Sequence, residues 1–210
     1  MRRLLALGVL VFVASVGNAQ ATTITFEDQG FVPPPPFNAE PHNGDLTSGG
    51  FFFDMLSNFY QLANNSAHVD NGTTYLVTEG TPSQVTFSQI GGAPFTLTSI
   101  DYAEWQEAGT ARTITVTGNK VGGATVSTTL TPDQIFDGPG GQPDFQTAIF
   151  GPQWTNLHSV VLLGTGATFG NLNYFAIDNI VVDAVPEPGT LTLLGLGSAY
   201  LIRRRQRNRR

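Results

Sequence analysis

Few residues of this 210-residue chain have the types and spacing that chemistry requires. The histidines, His42, His68 and His158, are far apart and lack a patterned partner, so they predict neither a metal centre nor a base beside a nucleophile. No G-x-S-x-G elbow, H-E-x-x-H pair, phosphate loop or G-x-G-x-x-G run is present. Cysteine is absent, which removes thiol nucleophiles and Cys-based metal sites. Carboxylates remain. Glu104 and Glu107 could in principle serve glycoside hydrolysis, but in an acid-rich chain such pairs arise by chance. Glu27 and Asp28 end the first strand-like segment, and Asp178 sits in the last. Tyr60, Tyr102, Trp105 and Trp154 are amphipathic rings of the sort that stack on sugars, and they are equally the rings a β core needs to fill it. The sequence therefore predicts no catalytic residue and a protein that is not an enzyme.

Charge narrows the partners. Between Thr22 and Ala184 only Arg112 and Lys120 are basic, against fifteen of the sixteen acidic residues, a net charge of −13. Such a surface repels nucleic acid and anionic headgroups and attracts cations. Nucleic-acid binding is excluded.

The two ends read as addresses. Arg2 and Arg3, the apolar run Leu4–Val16 and the small residues of Ala19-Gln20-Ala21 follow the order of a secretory signal peptide. Cleavage after Ala21 starts the mature chain at Thr22. At the other end, Pro186-Glu187-Pro188 cannot continue a helix or a ladder and predicts an extended, cleavable joint. The apolar run Thr190–Ile202 follows, and six arginines, beginning with Arg203, Arg204 and Arg205, close the chain. As a helix that run covers roughly 20 Å, short of the roughly 30 Å hydrocarbon core, a gap that snorkelling and local thinning can close. The arginines stay on the cytoplasmic side and leave the body outside.

The order Pro186-Glu187-Pro188, short apolar helix, arginine cluster resembles the PEP-CTERM sorting signal. That resemblance implies recognition of the tripeptide by an exosortase, an integral-membrane Cys protease. It implies an inner-membrane-anchored intermediate, then delivery to the cell envelope or the extracellular exopolysaccharide and biofilm material. The domains expected are a signal peptide (1–21), one β-sandwich domain (22–184) and the sorting signal (185–210).

Ten strand-like segments fill the body, from Thr22–Phe26 through Pro94–Trp105 to Tyr174–Val182, rich in Thr and β-branched residues. Gly, Pro, Asn and Asp clusters such as Gly91-Gly92 and Asn71-Gly72 punctuate them. Only Asp54–Ala63 carries a trace of helical period. Phe51, Phe52 and Phe53 cannot all face inward, because neighbouring strand side chains point to opposite faces. The fold expected is all-β, an antiparallel β-sandwich of jelly-roll type, with a signal helix before it and a short transmembrane helix after it. "ITFED" (Ile24–Asp28), "FTLTSIDY" (Phe95–Tyr102) and "FAIDNI" (Phe175–Ile180) resemble the galactose-binding-type jelly rolls of carbohydrate-binding proteins. This second resemblance implies a structural Ca²⁺ at Glu27, Asp28 and Asp178; by ring chemistry, Tyr102, Trp105 and Trp154 are the residues expected to contact sugar. The function expected is a structural or adhesive envelope or matrix protein in contact with exopolysaccharide. The alternative, a carbohydrate-active enzyme or periplasmic ligand-binding module, would show a clustered acid pair or a formed pocket.

Overall fold

A computed structural model describes residues 21–32, 39–64, 66, 68–105, 111–135, 144–167 and 172–185. Residues 1–20 of the expected signal peptide, Glu107, Pro186, Glu187, Pro188 and the whole apolar and arginine-rich tail lie outside the described residues, and with them both expected helices; Ala21, the expected last residue of that peptide, begins the first strand. Among the described residues no helix is long and apolar enough to cross a membrane.

The body is all-β and antiparallel. Its strands are β1 (Ala21–Ile24), β2 (Ala39–Asn43), β3 (Leu46–Ser48), β4 (Phe51–Met55), β5 (Phe59–Ala63), β6 (Tyr75–Thr78) and β7 (Gln84–Gln89). They continue with β8 (Phe95–Glu104), β9 (Thr113–Lys120), β10 (Thr125–Leu130), β11 (Gln146–Ile149), β12 (Leu157–Thr165) and β13 (Phe175–Ala184). The stretch with the trace of helical period, Asp54–Ala63, is instead the end of β4, a turn and β5. Phe59, Tyr60, Leu62 and Ala63 fit either spacing, and pairing of β5 between β2 and β6 decides for the strand.

The strands form one curled sheet in the order β2-β5-β6-β13-β8-β12-β7-β4-β3, with β1 on β13, β11 on β8, and β9 then β10 on β12. A single pairing, Leu157 with Phe95, joins the β8 half to the β12 half. Phe53 and Phe87 from one half and Phe26, Ile100, Phe175 and Val182 from the other bury into one core, which makes the curled sheet a sandwich. Phe51 and Phe53 are buried and Phe52 between them is exposed, as strand alternation requires. Ring contacts tie the layers together: Phe51 meets Phe95 edge-on at 5.1 Å and Phe26 meets Phe53 at 5.2 Å.

One irregularity positions the residues of interest. Along β13 the core-facing residues are Phe175 and Ile177, then Ile180 and Val182, so the parity changes in mid-strand. β8 changes with it, from Phe95 and Leu97 to Ile100 and Tyr102. The pairing shifts between Asp178 and Val181, and Asn179 takes a left-handed φ of 45° that Asn tolerates better than most residues. Beyond the bulge, Tyr102 and Glu104 follow Ile100 to the inner face. Asp101, Ala103, Ala176 and Asp178 face outward. There Ala103, Trp105 and Ala176 meet Val69 and Tyr75 in a second, smaller apolar cluster.

Candidate functional site

The acids singled out in the first and last strands fall into two places. Glu27 and Asp28 lie in a single 3₁₀ turn, Glu27–Gln29, that follows β1. Glu27 accepts the Thr74 amide at 2.5 Å and the Thr74 hydroxyl at 3.3 Å. Asp178 accepts Asn71 Nδ2 at 2.7 Å and the Thr73 hydroxyl at 2.8 Å, both on Oδ2, and its Oδ1 is buried with no partner. Both acids thus close on the same short segment, Asn71 to Thr74. Asp28 goes elsewhere: it accepts the Ser48 hydroxyl at 2.7 Å and the Gly49 amide at 2.9 Å.

Their titration differs accordingly. Burial drives the Asp178 carboxyl up to about 6, with the neighbouring Asp101 charge adding to it and the Asn71 and Thr73 donors opposing. At Asp28 burial also pushes upward, but the Gly49, Gln29 and Ser48 donors outweigh it and hold the carboxyl below its ordinary value. Among the described residues no group of three or more His, Asp or Glu side chains is placed to hold a metal.

The aromatic candidates also divide. Trp105 is buried in the outer cluster, edge-on to His68 at 5.2 Å and to Tyr75 at 6.2 Å. Tyr102 and Trp154 are buried too, but their edges reach a groove of about 440 Å³ between the edge strands β10 and β11. Ser127, Thr129, Thr131 and Gln153 supply its polar lining. A Phe150–Trp154 pair at 4.6 Å stiffens the floor. Among the described residues no Asp, Glu, Lys, Arg or His lines it, so the groove offers hydroxyls, an amide and ring edges, the complement of a neutral polyhydroxyl ligand. His42 stacks on Tyr60 at 5.2 Å and His158 is exposed on β12, so the structure does not gather the histidines.

In the sequence Glu104 stands out only beside Glu107, as an acid pair of the kind that arises by chance. It is 0% exposed, and neither of its carboxyl oxygens has a hydrogen-bond partner among the described residues. Burial pushes it up to about 7, the Asp133 carboxylate adds to this, and the amides of Glu104 itself and Gln134 act in the other direction. The available signal was its parity with Ile100 and Tyr102, legible only once the bulge is known.

The body's last paired residue, Ala184, is also the first residue matched by a family model, the PEP-CTERM protein-sorting motif, over residues 184–206. The chain carries a PEP-CTERM sorting motif. The motif implies exosortase processing, and with it export through a membrane-anchored intermediate. Comparison with curated proteins gives no match. Among solved structures, a DUF4465 family protein from Bacteroides caccae is similar at 13% identity and a TM-score of 0.45, over 79% of this chain and 100% of that one. TmCBM61, solved in complex with β-1,4-galactotriose, is similar at 10% identity and a TM-score of 0.36, over 77% of this chain and 94% of that one. The K3 cleaved adhesin domain of Lys-gingipain from Porphyromonas gingivalis is similar at 16% identity and a TM-score of 0.31, over 77% and 98% respectively.

Proposed function

We propose that this PEP-CTERM protein is a non-enzymatic component of the cell envelope or extracellular matrix, structural or adhesive, that contacts a neutral polysaccharide through the groove between β10 and β11. A signal peptide brings it across the inner membrane, the tail holds it there, and an exosortase releases the body. The sorting motif at 184–206, immediately behind an all-β body, carries the delivery part of this reading. The groove supports the binding part. Its lining has hydroxyls and an amide beside ring edges and, among the described residues, no carboxylate to act as acid or base. A net charge of −13 over Thr22–Ala184 favours neutral chains over anionic ones.

The test is a glycan array probed with the protein recovered from culture supernatant. Binding to neutral glycans that Thr129→Lys weakens, with anionic glycans unbound, is the expected result. No binding to any neutral glycan, or binding indifferent to Thr129→Lys, overturns the groove as the site.

A further inference from the structure

Glu104 ends β8 with its side chain on the inner face, fully buried and with both oxygens unpartnered. A buried carboxylate with no hydrogen-bond partner among the described residues, eased only by the Glu104 and Gln134 amides, is strongly unfavourable, so a group in this state points to something that satisfies it. Opposite it stands a second acid. Asp133, exposed on the strap 131–135 that leaves β10, acts directly on the Glu104 carboxyl, and both charges act on the Tyr102 hydroxyl. One Asp133 oxygen accepts the Ile135 amide at 3.1 Å. Gln134 Nε2 reaches the Ala111 carbonyl at 3.4 Å, which lays the strap against the start of β9.

Two carboxyls facing one another can share a proton or a cation. A shared proton occupies one Glu104 oxygen and leaves the other buried and unpartnered. A divalent ion engages both, takes an Asp133 oxygen as well, and completes its shell with carbonyls and water admitted on the exposed Asp133 side. Ca²⁺ accepts six to eight oxygens in flexible arrangements, whereas Mg²⁺ demands a near-ideal octahedron, so a half-protein, half-water site suits Ca²⁺. The acidic body concentrates such cations around it.

We propose that Glu104 and Asp133 together hold a Ca²⁺ ion that fastens the strap 131–135 across the end of the sandwich, next to the groove. The ion is independent of Glu27 and Asp178, whose carboxylates accept from the Asn71–Thr74 segment.

The experiment uses the full chain in detergent micelles at neutral pH, stripped with chelator. Ca²⁺ and Mg²⁺ are then compared at equal ionic strength. Ca²⁺ should raise the melting temperature by roughly 3 °C and Mg²⁺ by clearly less. Equilibrium dialysis with radioactive calcium should count one ion fewer in Glu104→Gln and in Asp133→Asn than in the parent. Asp178→Asn should keep the ion. The exposed Asp133 gives a variant that leaves the core untouched, should Glu104→Gln fold poorly. An unchanged ion count in Asp133→Asn, equal responses to the two metals, or stabilisation by mild acid with none by Ca²⁺ would each overturn the proposal, the last in favour of a shared proton.

Discussion

Asp101 and Asp178 stand directly opposite each other on β8 and β13, like charges in register on the outer face of the sheet. The pair persists because each is supplied with donors. Asp101 accepts the Thr147 hydroxyl at 2.6 Å and Asn179 Nδ2 at 2.9 Å. Asp178 takes Asn71 and Thr73. Facing like charges destabilise a ladder by up to about 1 kcal/mol when exposed, and more when one is buried. Four polar side chains from three different segments therefore converge on one repulsive contact, and Asn179, the bulge residue, is among them.

The first prediction is a pH dependence. Glu104 and Asp178 titrate near 7 and 6 in the fold, above the ordinary 4.5 and 3.8. A raised acid carries no penalty below its unfolded value, where both states are protonated, and the penalty grows as pH rises through the folded value. In chelator, stability should therefore fall between about pH 4.5 and pH 7. For Glu104 the displacement corresponds to on the order of 3 kcal/mol. Asp28 works oppositely, stabilising above its ordinary value and losing that contribution as pH falls. Urea midpoints across this range check it: Glu104→Gln and Asp178→Asn should each flatten the slope, and a parent with a flat profile would refute the assignment.

Gly164 in β12 gives a second. A Cβ there would lie 2.2 Å from the backbone oxygen of Asn173 and 3.0 Å from the Phe175 ring. Backbone cannot yield as a side-chain tip can, so Gly164→Ala should lose about 1–3 kcal/mol or more. Gly151→Ala, where φ is −81° and an added Cβ would meet only the movable end of the Gln153 side chain, is the comparison, and it should lose less. Equal losses by chemical denaturation would refute the steric argument.

Trp154 tests the floor of the groove. It is 2% exposed and packs on Phe150, so Trp154→Ala should lose about 3–5 kcal/mol. Differential scanning calorimetry reads this directly; a shift under a degree would show that the ring is dispensable to the core.

Processing supplies the fourth. Replacing Pro186, Glu187 and Pro188 with Ala should leave an unprocessed chain in the inner membrane, and replacing Leu5, Leu7 and Val9 with charged residues should leave it in the cytoplasm. Mass spectrometry of the parent from culture supernatant should find no intact C-terminal Arg210. Its presence there would contradict exosortase handling.

The sandwich was legible from alternation in long segments such as β8, β9 and β13. What escaped were the short or polar strands. β2 reads Ala-Glu-Pro-His-Asn, with Pro41 and no apolar alternation, and it exists because β5 offers it an edge. β3 has three residues, too few for any period. The groove and the Glu104–Asp133 pair were hidden for a different reason: both arise from segments that meet only after the sheet curls. The bulge was recoverable, since Phe175 and Ile177 against Ile180 and Val182 already break a period of two.

β1 pairs with the end of β13 over four residues, Ala21 against Asp183 through Ile24 against Ile180. Entry and exit of the chain therefore share one corner of the body. Tension applied to the two flanking segments acts on the first rung alone and peels β1 away rung by rung, as a zipper opens. It does not shear the whole ladder at once. A body suspended by both ends yields there under small force, while a body held by the tail alone carries load through β8 on the far side of β13, where the ladder is longer.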